Sequence, residues 1–246
     1  SERIDEHFAK TAAKRLGLEL RVIQAERDFL SLLPDIIDFM EEGISDPAAI
    51  NTYLICRQAH AAGVKVMLSG QGADEYLGGY RRYTAARFLL NLPRPLKWMS
   101  GMMSQLVPAR IPGYFNAFGR RTKRALAIAG RRPAETVSAF YTWNQQECIT
   151  SLFLDPVGIS IGDDLSELYE SYAEQGVIGA MMKVDHKYDL RSLNLAYTDR
   201  MSMAVGVEAR VPFLDFDMVR LMNSIPVAMK VKGGSTKYVF KKAMEG

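Results

Sequence analysis

With 246 residues and 48% hydrophobic content, the chain is long and apolar enough to bury a core without disulfides or structural metals. Cys56 and Cys148 form no CxxC pair and lie in no metal-ligand cluster, which argues against a disulfide framework or a zinc site and favours a cytoplasmic location. The net charge is only +3, no apolar run approaches a membrane span, and "SERIDEHFAK" reads as a charged helix, so we predict no membrane segment or signal peptide.

The first 90 residues alternate between helix and strand patterns. Apolar side chains at helical spacing over residues 5–17 predict a helix ending at Gly17, and the alternating "LELRVIQ" predicts a strand. Helices are predicted over "FLSLLPDIIDFMEEG" and "SDPAAINTYLICRQAHAAG", the latter capped by Ser45 or Asp46 and closed by Gly63. A strand, "VKVML", follows. This order indicates an α/β domain with a parallel sheet covered on both faces.

The middle of the chain, residues 91–184, contains several prolines and no convincing strand pattern, so we predict a helical subregion. From Asp185 the sequence predicts a long helix, then the extended "VEARVPFLD", then the helix "FDMVRLMNSIP". No internal repeat or linker is present. We therefore predict a single domain over 1–246, with blocks 1–90 and 185–246 carrying the active site.

Six arginines and lysines are concentrated in "GRRTKRALAIAGRRP", at positions 120–132. A basic segment of this kind can hold nucleic acid or another polyanion. No aromatic residues are interleaved with the charges for base stacking, so a solvated helix face is the favoured interpretation. RNA recognition is kept as an alternative function of this segment.

The stretch "VKVMLSGQGADE" places a glycine-rich turn and two carboxylates directly after a predicted strand. Such turns bring backbone N–H groups close to bound phosphate, and the following helix N-terminus favours negative charge. Carboxylates would repel phosphate unless Mg²⁺ lies between them, and Mg²⁺ prefers one or two carboxylates together with phosphate oxygens. Asp74 is therefore the candidate Mg²⁺ ligand, and Glu75 is either its partner or a residue favoured at a helix start.

Two blocks, "VKVMLSGQGADEYLGGYRRY" and "AYTDRMSMAVGVEARVPFLD", together with "GGSTKYVFKKA", resemble the synthetase domain of glutamine-dependent asparagine synthetases. That family belongs to the pyrophosphatase-type ATP-binding (adenine nucleotide α-hydrolase-like) superfamily, as do the β-lactam synthetases. The resemblance implies activation of aspartate by ATP as a β-aspartyl-adenylate, with pyrophosphate release. Ammonia, derived from glutamine, then displaces AMP to form the amide.

The resemblance also implies roles for individual residues. Ser69, Gly70 and Gly72 line the AMP site, Asp74 and Glu75 hold Mg²⁺, and Lys237 stabilises the charge on the transferring phosphoryl group. Asp199, Arg200 and Ser202 fall where the family faces its substrate cleft, with an interior salt-bridged turn as the alternative.

Gln71 departs from the family pattern. Glu208 matches a family glutamate whose partner occupies position 71, where many asparagine synthetases carry glutamate and β-lactam synthetases carry tyrosine. Glutamine cannot act as a base but can orient a substrate group. A different acceptor, as in a β-lactam-synthetase-like amide ligase, is therefore an alternative, and a non-catalytic scaffold is another.

The family's Ser-Gly-Gly-x-Asp-Ser phosphate loop and the N-terminal nucleophilic cysteine of its glutaminase half are missing from the sequence. We therefore expect the chain to be a truncated synthetase domain, inactive alone, whose full-length form carries an N-terminal glutaminase domain. A homodimer is a further possibility.

Overall fold

The structure is a computed structural model and describes residues 2–23, 29–41, 46–106, 126–142, 149–154 and 162–245. Two strands, β1 (Val66–Leu68) and β2 (Glu208–Arg210), lie among helices. Short 3-10 helices cover Phe29–Leu32, Ala173–Gln175 and Pro212–Leu214, and His186–Asn194 form a π-helix. In chain order the α-helices are α1 (Glu2–Leu16), α2 (Leu33–Met40), α3 (Ala48–Ala61), α4 (Ala73–Leu77), α5 (Arg81–Leu90), α6 (Arg94–Leu106), α7 (Pro133–Tyr141), α8 (Asp163–Ser171), α9 (Gly176–Asp185), α10 (Leu195–Met203), α11 (Phe216–Ser224), α12 (Val227–Lys230) and α13 (Tyr238–Ala243).

The chain divides into two compact units. Unit one comprises Ser1–Ser69 and Leu195–Arg210, and unit two comprises Gly70–Asn194 and Val211–Gly246. The predicted single domain over 1–246, with its helical subregion at 91–184, stays a prediction.

Unit one holds the sheet. β1 and β2 run parallel, with Val66 opposite Glu208 and Leu68 opposite Arg210. This confirms the predicted α/β class with parallel strands, and the finer pyrophosphatase-type assignment stays a prediction. The expectation that both faces of the sheet are covered is wrong among the described residues, because Val66 and Leu68 on one face are 43% and 72% exposed. Helix α10 packs on α2 and α3, and its buried Met201 belongs to the apolar interior of this unit.

Several local predictions for unit one are confirmed. Helix α1 ends just before Gly17, whose left-handed backbone (φ 64°) terminates it. The Ala48 N–H donates to Asp46 Oδ1 at 2.8 Å, so Asp46 caps α3, and Gly63 follows that helix with φ 77°. The alternative cap, Ser45, lies outside the described residues.

The strand predicted at "LELRVIQ" is wrong over its described part, residues 18–23, which have no regular secondary structure. Its apolar side chains, including Leu18 (62% exposed), face solvent. An alternating pattern forms a strand only when a neighbour accepts its backbone hydrogen bonds, and no described strand pairs with this segment.

The core of unit two is helical. Helices α5, α7, α8 and α9 pack against one another around Tyr83, Val137, Met181 and Val184, all of which are completely buried. The short helix α4 contacts α9, the π-helix, α11 and α13, which brings the end of the chain next to the acidic pair at positions 74 and 75.

The long helix predicted from Asp185 is wrong in detail. The chain enters helix earlier, at Gly176, and then passes through the π-helix before α10 begins at Leu195. A π-helix forms i→i+5 hydrogen bonds, which apolar periodicity does not reveal, and such stretches are frequent at functional sites.

Much of the basic segment at 120–132 lies outside the described residues. Of the part that is described, Arg132 is exposed and its Nε pairs with Glu135 Oε1 at 2.7 Å. Separately, none of the helices in the described ranges has the length and hydropathy needed to cross a membrane.

Candidate active site

Residues 72–80 contain the short helix α4, which has a left-handed glycine at each end. Gly72 enters the helix with a left-handed backbone (φ 88°), and a Cβ there would lie 2.4 Å from Leu214 Cδ2. At the other end Gly78, also left-handed (φ 71°), caps α4, and the Gly79 N–H donates to the Asp74 carbonyl at 2.8 Å. The chain therefore reverses after α4 and returns past its first turn.

Asp74 and Lys237 form an ion pair at this turn. The Lys237 Nζ lies 2.9 Å from Asp74 Oδ1, and the two side chains are 26% and 40% exposed, respectively. Lys237 is the N-cap of α13 and has a left-handed backbone (φ 51°, ψ 37°). An opposite-charge pair that is partly open to solvent can reach a bound phosphate with its ammonium and a metal with its carboxylate.

Glu75 points inward, in contrast to Asp74. It is 2% exposed, and its Oε1 accepts hydrogen bonds from the Tyr80 hydroxyl at 2.6 Å and from Asn194 Nδ2 at 3.1 Å. Gln71 Nε2 donates to the Asn194 carbonyl at 3.1 Å, which links the glycine turn to the same network. Burial and then the hydrogen bond to Glu75 raise the pKa of Tyr80, so this phenol remains a donor.

His186 supports α4 from the π-helix. Its ring stacks on Tyr76 with centroids 4.0 Å apart, and its Nε2 lies 3.2 Å from the Glu75 carbonyl. Burial, reinforced by the charge of Lys183, lowers the pKa of His186 to about 4, and Lys230 acts in the same direction. The imidazole is therefore neutral at pH 7, and Nε2–H is the tautomer that can donate to the carbonyl.

Arg82 links α5 to α9 and the π-helix. Its guanidinium lies 2.5 Å from Asp185 Oδ1, also pairs with Asp189, and stacks between Tyr80 (4.1 Å) and Tyr141 (4.6 Å). Asp185 is completely buried, and burial raises its pKa to about 7 against the opposing effect of Arg82. This network fixes Tyr80 and hence the Glu75 carboxylate.

Ser69 and Glu208 both lie in unit one, but at opposite edges of the sheet: Ser69 follows the carboxyl end of β1, whereas Glu208 begins β2 opposite Val66. The Ser69 N–H donates to the Arg210 carbonyl at 2.8 Å, extending the ladder between β1 and β2. The exposed Glu208 carboxylate pairs with Arg210 Nε at 2.8 Å, and this hydrogen bond lowers the pKa of Glu208. Glu208 is thus ionised at neutral pH and open to solvent.

The predicted substrate-cleft residues on α10 also lie in unit one. Arg200 pairs with Glu41 Oε2 at 2.8 Å and donates to the Met40 carbonyl at 2.8 Å. Ser202 is buried and donates to the Asp199 carbonyl at 3.0 Å, while the Asp199 side chain is exposed. The segment "TDRMSM" is thus helical, and its ion pair is largely exposed, so the interior salt-bridged turn considered as the alternative is wrong; the substrate-cleft role stays a prediction.

The carboxylates do not form a protein cage for a metal. Within the described ranges there is no cluster of three or more His, Cys, Asp or Glu side chains able to hold an ion. The single partly exposed carboxylate of Asp74 is nevertheless a fitting donor for Mg²⁺, which takes most of its other ligands from water and substrate phosphates.

Sequence reasoning named Asp74, Glu75, Gln71 and Lys237 but missed Gly79, Tyr80 and Asn194, which hold them in place. The available signal was the "GGY" at positions 78–80, two residues beyond the acidic pair. Two consecutive glycines beside charged residues indicate a close approach of the backbone to another group.

Residues 1–246 match the asparagine synthase family along the whole chain, and the chain belongs to that family.

Curated relatives support the assignment at low identity. Asparagine synthetase [glutamine-hydrolyzing] 1 of Bacillus subtilis is 31% identical over 97% of this chain and 37% of its own length. A Mycobacterium tuberculosis protein, provisionally named a glutamine-hydrolysing asparagine synthetase, is 27% identical over 96% of this chain and 36% of its own length. Amidase chyE of Penicillium rubens is 23% identical over 97% of this chain and 38% of its own length.

The chain thus spans between 36% and 38% of the length of these relatives. No solved structure gives a significant match to the chain.

Proposed function

We propose that this chain carries the adenylating part of an ATP-dependent carbon–nitrogen ligase that converts aspartate to asparagine. The main support is the Asp74–Lys237 ion pair, in which Nζ and Oδ1 lie 2.9 Å apart. Asp74 comes just after the glycine turn that follows strand β1 of the parallel sheet. Family membership and the asparagine synthetases among its relatives support the same reaction.

In the first half-reaction an aspartate β-carboxylate oxygen attacks the α-phosphorus of ATP, and the bond to the pyrophosphate oxygen breaks. Negative charge then develops on the pyrophosphate. Lys237 stabilises this charge electrostatically, which is commonly a large contribution at a water-poor site. When bound, Mg²⁺ offsets charge on the phosphates, and Asp74 is the residue that would hold it.

In the second half-reaction ammonia attacks the acyl carbon, AMP leaves, and a proton is released. Glu208 is the residue we assign to proton removal, because it is ionised and exposed, whereas the Gln71 amide can only orient a group. Ser69, Gly70 and Gly72 are proposed to contact AMP, and Asp199, Arg200 and Ser202 to form the aspartate side of the cleft.

Glu75 takes a different role in this proposal from the one first expected. Its carboxylate already accepts two hydrogen bonds inside the protein, so we assign it to holding α4 and Tyr80 in place and leave metal binding to Asp74.

The proposal extends to the longer protein. Ammonia would come from an N-terminal glutaminase domain, and the enzyme would act in the cytoplasm as a homodimer. Supplying ammonium in place of glutamine makes the test of the ligase independent of that domain.

Pyrophosphate formation tests the reaction class. Full-length protein with ATP, Mg²⁺, ammonium and aspartate should release AMP and pyrophosphate in equal amounts, and only when aspartate is present. Formation of ADP and inorganic phosphate would contradict adenylation outright.

Gln71 and the amidase among the relatives favour a second candidate, an adenylating ligase with a different acid or amine. Its signature is pyrophosphate release that aspartate does not stimulate and another carboxylic acid does. A screen of carboxylic acids and amines against the same full-length protein separates the two candidates.

A further inference from the structure

Gly79 lies against both members of the charged pair proposed to act in adenylation. A Cβ built at this position would lie 1.6 Å from Asp74 Oδ1 and 2.5 Å from Lys237 Cε. Both distances are far below van der Waals contact, so a side chain at position 79 and the observed pair cannot coexist. No sequence motif for the chemistry had singled out this glycine.

The requirement at position 79 is one of space. Gly79 has no positive φ, so its backbone is accessible to any residue, whereas the neighbouring Gly78 is left-handed with φ 71°. A substitution at Gly78 strains the backbone itself. A substitution at Gly79 acts only through what the new side chain displaces.

The backbone at Gly79 is held from both sides, so it cannot easily yield. Its N–H donates to the Asp74 carbonyl at 2.8 Å. The next residue, Tyr80, is fixed by its 2.6 Å hydrogen bond to Glu75 and by the Arg82 guanidinium stacked 4.1 Å from its ring centroid. An added methyl group must therefore move the Asp74 carboxylate and the Lys237 stem.

We propose that Gly79 is a positioning residue whose missing side chain allows Asp74 and Lys237 to meet and so sets the geometry of the adenylation site. This inference rests on the proposed function for its effect on catalysis, and on the observed geometry alone for its effect on the pair. Displacement of reacting groups by about 1 Å can cost on the order of a hundredfold in rate, so Gly79→Ala should lower pyrophosphate release by about that factor.

Chemical labelling of lysine reports whether the Asp74–Lys237 pair is intact, independently of catalysis. Trace acetylation of the full-length protein, followed by mass spectrometry, gives the reactivity of Lys237 relative to the exposed Lys241 on the same helix. In Gly79→Ala the displaced carboxylate no longer covers the ammonium, so this ratio should rise several-fold. Gly130→Ala is the matched control, since among the described residues its Cβ would meet only the Lys97 carbonyl, at 3.3 Å, and the ratio should stay unchanged.

A double variant keeps the test sharp if Gly79→Ala folds poorly. Asp74→Ala removes the carboxylate, which makes the closest clash with the new methyl group, and leaves only the flexible Lys237 stem to move aside. Asp74→Ala/Gly79→Ala should therefore fold and should label at Lys237 like Asp74→Ala alone. A Gly79→Ala protein with an unchanged labelling ratio overturns the inference, as does a double variant whose labelling is the sum of the two single effects.

Failure of the proposed function has a separate signature. It is shown by Asp74→Asn and Lys237→Ala proteins that release pyrophosphate at the wild-type rate, and the labelling ratio then still decides whether Gly79 positions the pair.

Discussion

At the scale of single residues, position 237 holds a lysine in a conformation that usually belongs to glycine. Lys237 and Glu41 are the non-glycine residues with positive φ in the described parts of the chain. Such a conformation costs on the order of 1–3 kcal/mol and persists where surrounding contacts enforce it. The contact here is the ion pair to Asp74, which joins the strained residue to the proposed chemistry.

Two substitutions at Lys237 separate its charge from its backbone. Lys237→Ala and Lys237→Gly should both lower pyrophosphate release by about a hundredfold or more, because each removes one electrostatic stabiliser. The glycine variant should be more stable than the alanine variant by about 1 kcal/mol, since glycine adopts this φ without steric cost. Parallel assays of pyrophosphate and glutamate release, with thermal melting, measure both effects.

Lys241→Ala is the control for these variants, because Lys241 is exposed on the same helix and should leave pyrophosphate release unchanged. Equal loss of pyrophosphate and glutamate would indicate misfolding. Retention of both would remove Lys237 from the site.

Asp74→Asn tests the carboxylate. The substitution preserves shape at a side chain that is 40% exposed, so the fold should survive while Mg²⁺-dependent pyrophosphate release falls by about a hundredfold. Asp217→Asn is matched to it, since both aspartates lie in the first turn of a helix. If the two variants titrate with Mg²⁺ identically to the wild type, Asp74 is only a helix-start residue.

At the scale of secondary-structure elements, the π-helix shows why part of the site is hidden from sequence reasoning. Caps such as Asp46 and Gly63 are local, and the sequence predicts them correctly. The π-helix instead places His186 and Asn194 against Glu75, which is more than a hundred residues away in sequence. Those contacts are tertiary, and apolar periodicity carries no record of them.

The lowered pKa of His186 predicts that the protein loses folding stability in acid. The folded-state pKa of about 4 lies below the ordinary value near 6.5. The contribution of the neutral imidazole to folding stability is therefore complete above pH 6.5 and is lost as the pH falls toward 4. The loss amounts to about 3 kcal/mol at most. His186→Phe keeps a ring against Tyr76 and removes the titration, so its melting temperature should fall less steeply than the wild-type value between pH 6.5 and 4. Parallel slopes for the two proteins would contradict this assignment.

The Arg82 network predicts a large local effect on stability. Arg82→Met leaves the fully buried Asp185 without its cation, and breaking a buried pair in this way costs about 3–5 kcal/mol while the carboxylate stays ionised. The loss should therefore be measured above pH 7, because burial already raises the pKa of Asp185 to about 7 and protonation reduces the cost. Native-state hydrogen exchange of peptides from α5 and α9 measures the loss. Arg81→Met is the neighbouring control, because Arg81 is exposed and the same substitution there should change the opening free energy by about 0.5 kcal/mol at most.

At the scale of the whole molecule, the small sheet leaves apolar side chains open to solvent. It consists of two three-residue strands, and Val66 and Leu68 of β1 are 43% and 72% exposed. Two-stranded sheets are marginal in water, and exposed apolar strands promote association.

This exposure can be measured on the 246-residue chain itself. The chain should bind an apolar fluorescent dye, and replacing both Val66 and Leu68 by threonine should reduce that fluorescence while keeping strand propensity. Far-UV circular dichroism is the control for retained structure. Unchanged dye binding in the double variant would place the responsible surface elsewhere.

The tertiary contacts within the candidate site could not be predicted from the sequence. Pattern and resemblance named Asp74 and Lys237 separately, because each stands in a recognisable local motif. Their 2.9 Å contact, and the space that Gly79 leaves for it, depend on how α13 packs against α4. No local signal encodes that packing, and the same holds for the absence of a strand at residues 18–23.

The left-handed backbone of Lys237 also bears on how the protein can be evolved in the laboratory. Variants selected only for thermal resistance should accumulate glycine at this position, because glycine relieves the strain. Variants selected for growth that requires the ligase reaction should retain lysine. Sequencing the two selected populations would show opposite pressures on one codon, which is how a trade-off between stability and activity is recorded in a gene.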